Sequence, residues 1–427
     1  MAETPSRKTS ARIWFHRLLR WILAPIFMWR FRLSSEHQEV AEGLRPPYLV
    51  IPNHVMTFDP FLVSYFIPVP VYFVASDANF RNPFFSWWLR KVGAIATSKA
   101  ADDLASLRLM LKTLKERKVI GIFAEGQRSW DGASLGIIPS TAKLVKLAKV
   151  PVLVSLIKGG YMTVPRWSFH TRRGRVVIEQ KLAVSADEAK SLSVDEITER
   201  IQSALDHDDS EYQNDSRVPY VSDRSAECLQ LVLFYCPSCS SLNTMSSSGR
   251  RFFCESCGYT VELTPFYRFR AIPGPDSHSV HFRTIREWSL AQNEFVDNYL
   301  RDALASGRPE ELFSDDHALM FTGYRLSRLR RRGIGRLSFH MDGIRFALSA
   351  DPRAKPGAGA AGGSDRFFPW VEVKALNVVY QDQLEFYFGR TLYVFKFPRH
   401  DTSAYKYYIC SRTLESMRNG TNSSPLA

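Results

Sequence analysis

The sequence predicts an α/β layered domain on a mainly parallel sheet, followed by a small four-cysteine ribbon and then a β-rich module. Three observations carry this reading. Between residues 45 and 205 short apolar runs alternate with segments of helical period, the pattern of strands joined by crossover helices. Four of the six cysteines stand as two C-x-x-C pairs, Cys236/Cys239 and Cys254/Cys257. Past residue 337 several apolar runs follow one another with turn residues between them.

A chain of 427 residues exceeds one core of ordinary size, so several domains are expected. With 45% hydrophobic and 23% charged residues, it reads as globular, neither disordered nor repeatedly membrane-crossing. A formal net charge of +13 implies an anionic partner, either nucleic acid or acidic lipid headgroups. Paired C-x-x-C cysteines point to reduced, metal-ligating thiolates and a cytosolic setting.

Residues 1–34 form the first segment. Residues 12–33 mix apolar and aromatic side chains with Arg12, Arg17, Arg20, Arg30 and Arg32. Their longest apolar run, residues 21–29, falls short of the ~20 residues that cross a bilayer. Arg30, Phe31 and Arg32 follow it where a signal peptide would place small residues. Arginines that reach headgroup phosphates while aromatic and aliphatic side chains sink below suit a membrane-interfacial anchor, which Pro25 is expected to break into two short helices. A helix packed on the protein's own core has the same pattern.

The α/β domain is placed at residues 35–205. Tyr48-Leu49-Val50-Ile51 reads as a buried strand leading into Asn53-His54, and residues 71–75 as a second strand. Residues 102–116 carry Leu104, Leu107, Leu111 and Leu114 at helical spacing. The strand 119–123 runs into the polar loop Ala124-Glu125-Gly126-Gln127-Arg128-Ser129, with Gly126 at its tight point. A helix at 140–149 and a strand at 152–157 come next. Ser193 and Glu196 form a capping box opening a helix that carries Ile197, Ile201 and Leu205.

Two features bear chemistry. His54 and Asp59 stand as H-x-x-x-x-D; a carboxylate on one ring nitrogen fixes the tautomer and makes the other a better base for an attacking hydroxyl. A helical turn between them would bring the two side chains together, although spacing alone fits an ordinary hydrogen bond equally well. In Glu125-Gly126-Gln127-Arg128-Ser129 a guanidinium and backbone amides near a glycine offer an anion cradle, and a solvated turn reads the same way.

Asn53-His54-Val55-Met56-Thr57-Phe58-Asp59 followed by Phe123-Ala124-Glu125-Gly126-Gln127-Arg128-Ser129 resembles the first and third signature blocks of the glycerolipid acyltransferases, which include the 1-acylglycerol-3-phosphate acyltransferases. Between them, residues 80–95, with Phe84, Phe85, Trp87 and Trp88, resemble the aromatic segment leading into the second block. The resemblance covers residues 12–205. It implies that His54 deprotonates the acceptor hydroxyl while Asp59 orients it. The activated oxygen then attacks the thioester of acyl-CoA or acyl carrier protein without a covalent acyl-enzyme. It further implies that Glu125, Gly126, Arg128, Ser129 and Lys99 bind a lysophosphatidate-like acceptor, and that the N-terminal segment matches a membrane-embedded helical pair.

The chain departs from the pattern in places. Lys99 stands where the second block usually has arginine, and Ser76 or Asp77 where a lysine usually precedes the aromatic segment. Pro151 is kept in the fourth block, but Val154 occupies the second proline's place. Lysine cannot reproduce a bidentate guanidinium grip, so another lyso-lipid headgroup stays open as acceptor.

Residues 206–230, opening on Asp206-His207-Asp208-Asp209, are read as a linker. Residues 231–263 are read as a zinc ribbon with Cys236, Cys239, Cys254 and Cys257 as ligands of a structural zinc that has no open position for substrate. Cys228 and Cys410 have no evident partner and read as buried apolar residues. The accessory module spans residues 281–416: a helix at 281–305, strands at 337–348, 370–380, 384–388 and 391–397, and a final helix at 401–416. A small pleckstrin-homology-like barrel fits this order. Residues 354–364 read as a loop, and 417–427 as a disordered tail.

Arg325, Arg328, Arg330, Arg331 and Arg332 form a basic cluster suited to an anionic membrane surface or to nucleic-acid phosphates. Lipid chemistry and a basic N-terminal anchor favour the membrane over nucleic acid. The expected protein is therefore a peripheral or monotopic acyltransferase on the cytoplasmic side of a membrane. A scaffold or nucleic-acid-binding protein with a vestigial acyltransferase half is the alternative.

Overall fold

The computed structural model describes residues 13–97, 104–274, 277–307, 311–324, 327–349, 365–399 and 401–419. Lys99, Arg325, the loop 354–364 and residues 420–427 of the tail lie outside the described residues. The chain divides into two compact units. The first comprises Met1–Ser129, Ser134–Thr163 and Arg173–Tyr212; the second comprises Trp130–Ala133, Val164–Arg172 and Gln213–Ala427.

Among the described residues the first unit is built on seven strands: β1 (Ser34–Glu36), β2 (Leu49–Pro52), β3 (Val71–Ser76), β4 (Ile95–Thr97), β5 (Val119–Gly121), β6 (Val152–Lys158) and β7 (Val177–Val184). They lie in the order β1-β7-β6-β2-β5-β3-β4. Every pair is parallel except the antiparallel β6–β7. A strand covered on both faces must be apolar at every position, and Leu49, Val50, Ile51 and Pro52 are all buried. The carboxyl end of this central strand delivers Asn53 and His54.

The helix Val194–Leu205 opens on the expected capping box, Ser193 and Glu196 each bonding the other's backbone amide, and buries Ile197, Ile201 and Leu205. The N-terminal segment differs from expectation. It is one helix, Ile13–Phe31, running through Pro25. Contacts on both sides of the proline hold it. The His16 ring bonds the Val92 carbonyl and Arg20 the Ile67 carbonyl, while Phe27 and Phe31 pack on Phe58. No helix among the described residues is long and apolar enough to cross a membrane.

The stretch read as a linker carries structure. Asp209 is buried and accepts from the amides of Gly159 and Tyr161 and pairs with His207. A buried carboxylate needs such donors, and its neighbouring acidic residues disguise it as part of a solvated run.

In the second unit, β8 (Met245–Ser248), β9 (Arg251–Cys254), β10 (Thr260–Leu263) and β11 (Phe269–Ala271) form an antiparallel sheet in the order β11-β10-β9-β8. The helix Ile285–Ala305 follows. A second antiparallel sheet takes the order β15-β14-β13-β12-β18-β17-β16. Its strands are β12 (Glu311–Gly323), β13 (Arg330–His340), β14 (Gly343–Ser349), β15 (Arg366–Pro369), β16 (Val373–Val379), β17 (Gln383–Phe388) and β18 (Thr391–Lys396). The run at 337–348 is thus parts of two strands. The chain turns at Met341-Asp342, and Gly343 lets β14 approach β15, where a Cβ would stand 2.3 Å from the Phe368 carbonyl oxygen. Arg330, Arg331 and Arg332 lie exposed on β13.

The helix Ala404–Asn419 closes this unit. Its buried Lys406 pairs with Asp315 of β12 and donates to Asn243, and Tyr407 donates to Asp315 and to the Leu337 carbonyl. An ammonium out of water demands such partners. Burial nevertheless pushes the Lys406 pKa down.

Gly121 on β5 faces Phe73, where a Cβ would meet the ring at 2.4 Å. Gly121→Ala is expected to cost ~1–3 kcal/mol through overpacking, read as a lower urea midpoint for unfolding.

Candidate active site

The site is built where β2 and β5 end. Asn53 is buried, and its amide donates to the Ile157 carbonyl and accepts from the Ile157 amide, tying the strand exit to β6. His54 comes next, its side chain 23% exposed. Its Nδ1 lies 2.8 Å from Asp59 Oδ2. An ionised carboxylate only accepts, so Nδ1 donates and the basic lone pair sits on Nε2.

Asp59 is the first residue of the helix Asp59–Phe66 and is fully buried. Besides His54, it accepts from the amides of Val55 and Met56. The residues between histidine and aspartate therefore fold around the carboxylate, and Pro60 sits at the helix start, where its missing N–H costs nothing.

β5 leads into the second loop. Phe123 stacks on the His54 ring with centroids 4.1 Å apart, and Phe73 stacks on Phe123 at 5.5 Å. Gly126 adopts φ +71°, and a Cβ there would meet Ile138 at 2.5 Å, so this turn requires glycine. Glu125 accepts from the His54 and Leu135 amides, and the Ser129 amide donates to the His54 carbonyl. Arg128 donates to the Thr57 hydroxyl.

Glu125 is buried, and desolvation pushes its pKa up to about 8; the two amide bonds pull it down and Asp59 nearby pushes it further up. It therefore holds its proton at neutral pH and adds no second negative charge beside Asp59.

The structure thus gathers His54, Asp59, Glu125, Gly126, Arg128 and Ser129, whereas Lys99 lies outside the described residues. Sequence reasoning missed Phe123 as a support of the histidine. An aromatic residue at a strand end signals only core.

In the second unit the Sγ atoms of Cys236, Cys239, Cys254 and Cys257 lie within 4.8 Å of one another. Cys236–Cys257 and Cys239–Cys254 are 3.7 and 3.8 Å apart, close to the ~3.8 Å edge of a tetrahedron with metal–sulfur bonds of about 2.3 Å. Four thiolates at these separations fit a zinc ion. Cys228 and Cys410 stay outside this cluster, and burial pushes their thiols up to about 11 and about 12, which disfavours the thiolate.

Residues 32–158 match the acyltransferase family model. The chain is similar to the 1-acyl-sn-glycerol-3-phosphate acyltransferase of Saccharomyces cerevisiae, at 23% identity over 199 residues. That match takes in 44% of this chain and spans 65% of the yeast protein's length. Among solved structures it is similar to the 1-acyl-sn-glycerophosphate (LPA) acyltransferase PlsC from Thermotoga maritima. The identity is 22%, over 47% of this chain and 80% of that one, with a TM-score of 0.41. The Vps36 N-terminal PH domain matches 26% of the chain and 82% of its own length at 16% identity, with a TM-score of 0.19.

Glu125 generates a pH test. A carboxyl held near pKa 8 when folded and 4.5 when free stabilises the fold fully below pH 4.5, and that contribution is lost as pH rises through about 8. Glu125→Gln has no such titration. Its stability relative to the wild type is expected to improve steadily from pH 4.5 to 8 in urea unfolding series. Parallel wild-type and variant curves would refute the assignment.

Proposed function

We propose that this protein transfers a fatty acyl group from acyl-CoA or acyl carrier protein to a hydroxyl of a lysophosphatidate-like glycerolipid at the cytoplasmic surface of a membrane. The observation that carries the reading is the His54–Asp59 pair, set beside the Arg128 loop within a segment that matches the acyltransferase model.

His54 Nε2 takes the proton of the acceptor hydroxyl as its oxygen attacks the thioester carbonyl. Asp59, its charge already committed to Nδ1–H and two amides, stabilises the imidazolium that forms. The tetrahedral intermediate collapses, the carbon–sulfur bond breaks, and the imidazolium returns the proton to the departing thiolate. No acyl-enzyme forms.

Arg128 grips the acceptor's phosphate through a charge-assisted pair, beside the Gly126 turn. Glu125 serves differently from the role the resemblance implies: both its oxygens are engaged by backbone amides, so it fixes the His54 backbone and leaves the anion to Arg128. Lys99 adds a second cation for the acceptor. In the ribbon, zinc on four thiolates would organise the fold with no position open for chemistry.

Labelled palmitoyl-CoA with a panel of lyso-acceptors tests the reading. His54→Ala is expected to lower transfer at least ~10³-fold, and Asp59→Asn by ~10²–10⁴-fold, with the fold retained. Arg128→Lys raises KM for phosphate-bearing acceptors more than it lowers kcat. Wild-type transfer that survives His54→Ala would sink the mechanism. Elemental analysis should find one zinc per chain, absent from Cys254→Ser, which unfolds at lower temperature; metal-free wild type of unchanged stability would refute the ribbon reading.

A further inference from the structure

The helix Pro83–Lys91 is Pro-Phe-Phe-Ser-Trp-Trp-Leu-Arg-Lys, and not one of its residues is buried. Phe84 is 69% exposed, and Phe85 and Trp87 are each 54% exposed. An apolar surface of this kind marks a binding site when it is contiguous, and here three large aromatic side chains fall within four positions. The helix is deliberately formed. Asn82 caps it, accepting from the amides of Phe84 and Phe85, and Pro83 starts it. On its inner side Trp88 packs on Phe61 at 5.1 Å.

Charge identifies the occupant. Residues 78–97 contain no acidic residue, while Arg90 and Lys91 fill the last turn. Lys91 lies over the Trp87 ring at 5.7 Å. Aromatic side chains flanked by cations are the composition of an interfacial element, the rings at carbonyl level and the cations on phosphates. The neighbouring N-terminal helix repeats it: Trp21 and Trp29 are exposed, and residues 13–33 contain no acidic residue. The two helices meet, since the His16 ring bonds the Val92 carbonyl just beyond Lys91, and Phe61 contacts both Trp88 and Phe27.

We infer that the helix Pro83–Lys91 is a second membrane-insertion element, placing Phe84, Phe85 and Trp87 below the headgroups of an anionic leaflet while Arg90 and Lys91 meet its phosphates. The inference goes beyond the catalytic reading and rests on it only in taking the acceptor from a membrane.

The test is flotation of full-length protein with phosphatidylcholine vesicles containing phosphatidylglycerol, without acyl donor, so that an inactive enzyme does not affect it. Phe84→Ser/Phe85→Ser/Trp87→Ser is expected to bind about tenfold more weakly, with an unchanged thermal midpoint and unchanged transfer to a short-chain acceptor below its micelle concentration. Arg90→Glu/Lys91→Glu, which leaves the aromatic residues in place, is expected to weaken binding to the anionic vesicles and not to pure phosphatidylcholine. Trp21→Ser/Trp29→Ser measures the N-terminal helix separately. Unchanged partition for the folded triple serine variant, or for the charge-reversed one, would overturn the inference. Loss of a concentration-dependent dimer with vesicle binding intact would also overturn it, assigning the face to a second copy of the chain.

Discussion

The first unit depends on a carboxylate that has been taken out of water. Asp59 is fully buried, and such a group stays ionised only if donors replace its hydration. The protein supplies the amides of Val55 and Met56 and the His54 ring. Those donors all come from the residues just before it, so the loop can close in few ways. Closure sets the histidine tautomer, starts the helix Asp59–Phe66 and holds the His54 ring at the strand end.

Contacts to two other segments, β6 and the loop after β5, reinforce this. The Asn53 amide spans to Ile157 on β6, the Ser129 amide holds the His54 carbonyl, and the Glu125 carboxyl holds the His54 amide. Two carboxyl groups this close would repel if both ionised. Burial raises the Glu125 pKa to about 8, so the carboxyl bonds backbone amides without adding a second negative charge beside Asp59. The ring itself is braced by Phe123 and Phe73, and Gly121 is what leaves room for Phe73.

How much of this was legible in the sequence depended on whether a residue's role was local. His54 and Asp59 lie five positions apart, so a turn suffices to join them, and Gly126 announces its own backbone conformation. The buried run at β2 and the capping box at Ser193 are equally local. Glu125 and Phe123 were read differently because their partners, His54 and Leu135 for one and Phe73 for the other, are chosen by sheet order. The edge strand β1 was invisible for a similar reason: Ser34-Ser35-Glu36 is polar and becomes a strand only by pairing with β7. Asp209, surrounded by Asp206, Asp208 and Glu211, reads as solvated until Gly159 and Tyr161 come near. Pro25 does not break its helix, since packing on both flanks outweighs its local preference. The four cysteines show the opposite case, two local pairs whose spacing already defined the cluster.

The helix Asp59–Phe66 ties the His54–Asp59 pair to the aromatic flank of the domain. Its first residue is the buried aspartate, and two turns contain everything between that carboxylate and Phe66. Phe58, just before it, packs on Phe27 and Phe31; Phe61, one turn along, packs on Phe27 and Trp88. Packed interiors move as units because neighbouring side chains interdigitate, so a shift of either flanking helix against Phe61 is a shift of Asp59. In the proposed reaction, proton transfer between His54 and a hydroxyl tolerates little misplacement, about 1 Å being enough to cost ~10²-fold. If the acceptor comes from a lipid surface, as proposed, that surface must be aligned with His54, and the short helix Asp59–Phe66 bears on both through Phe61 and Asp59.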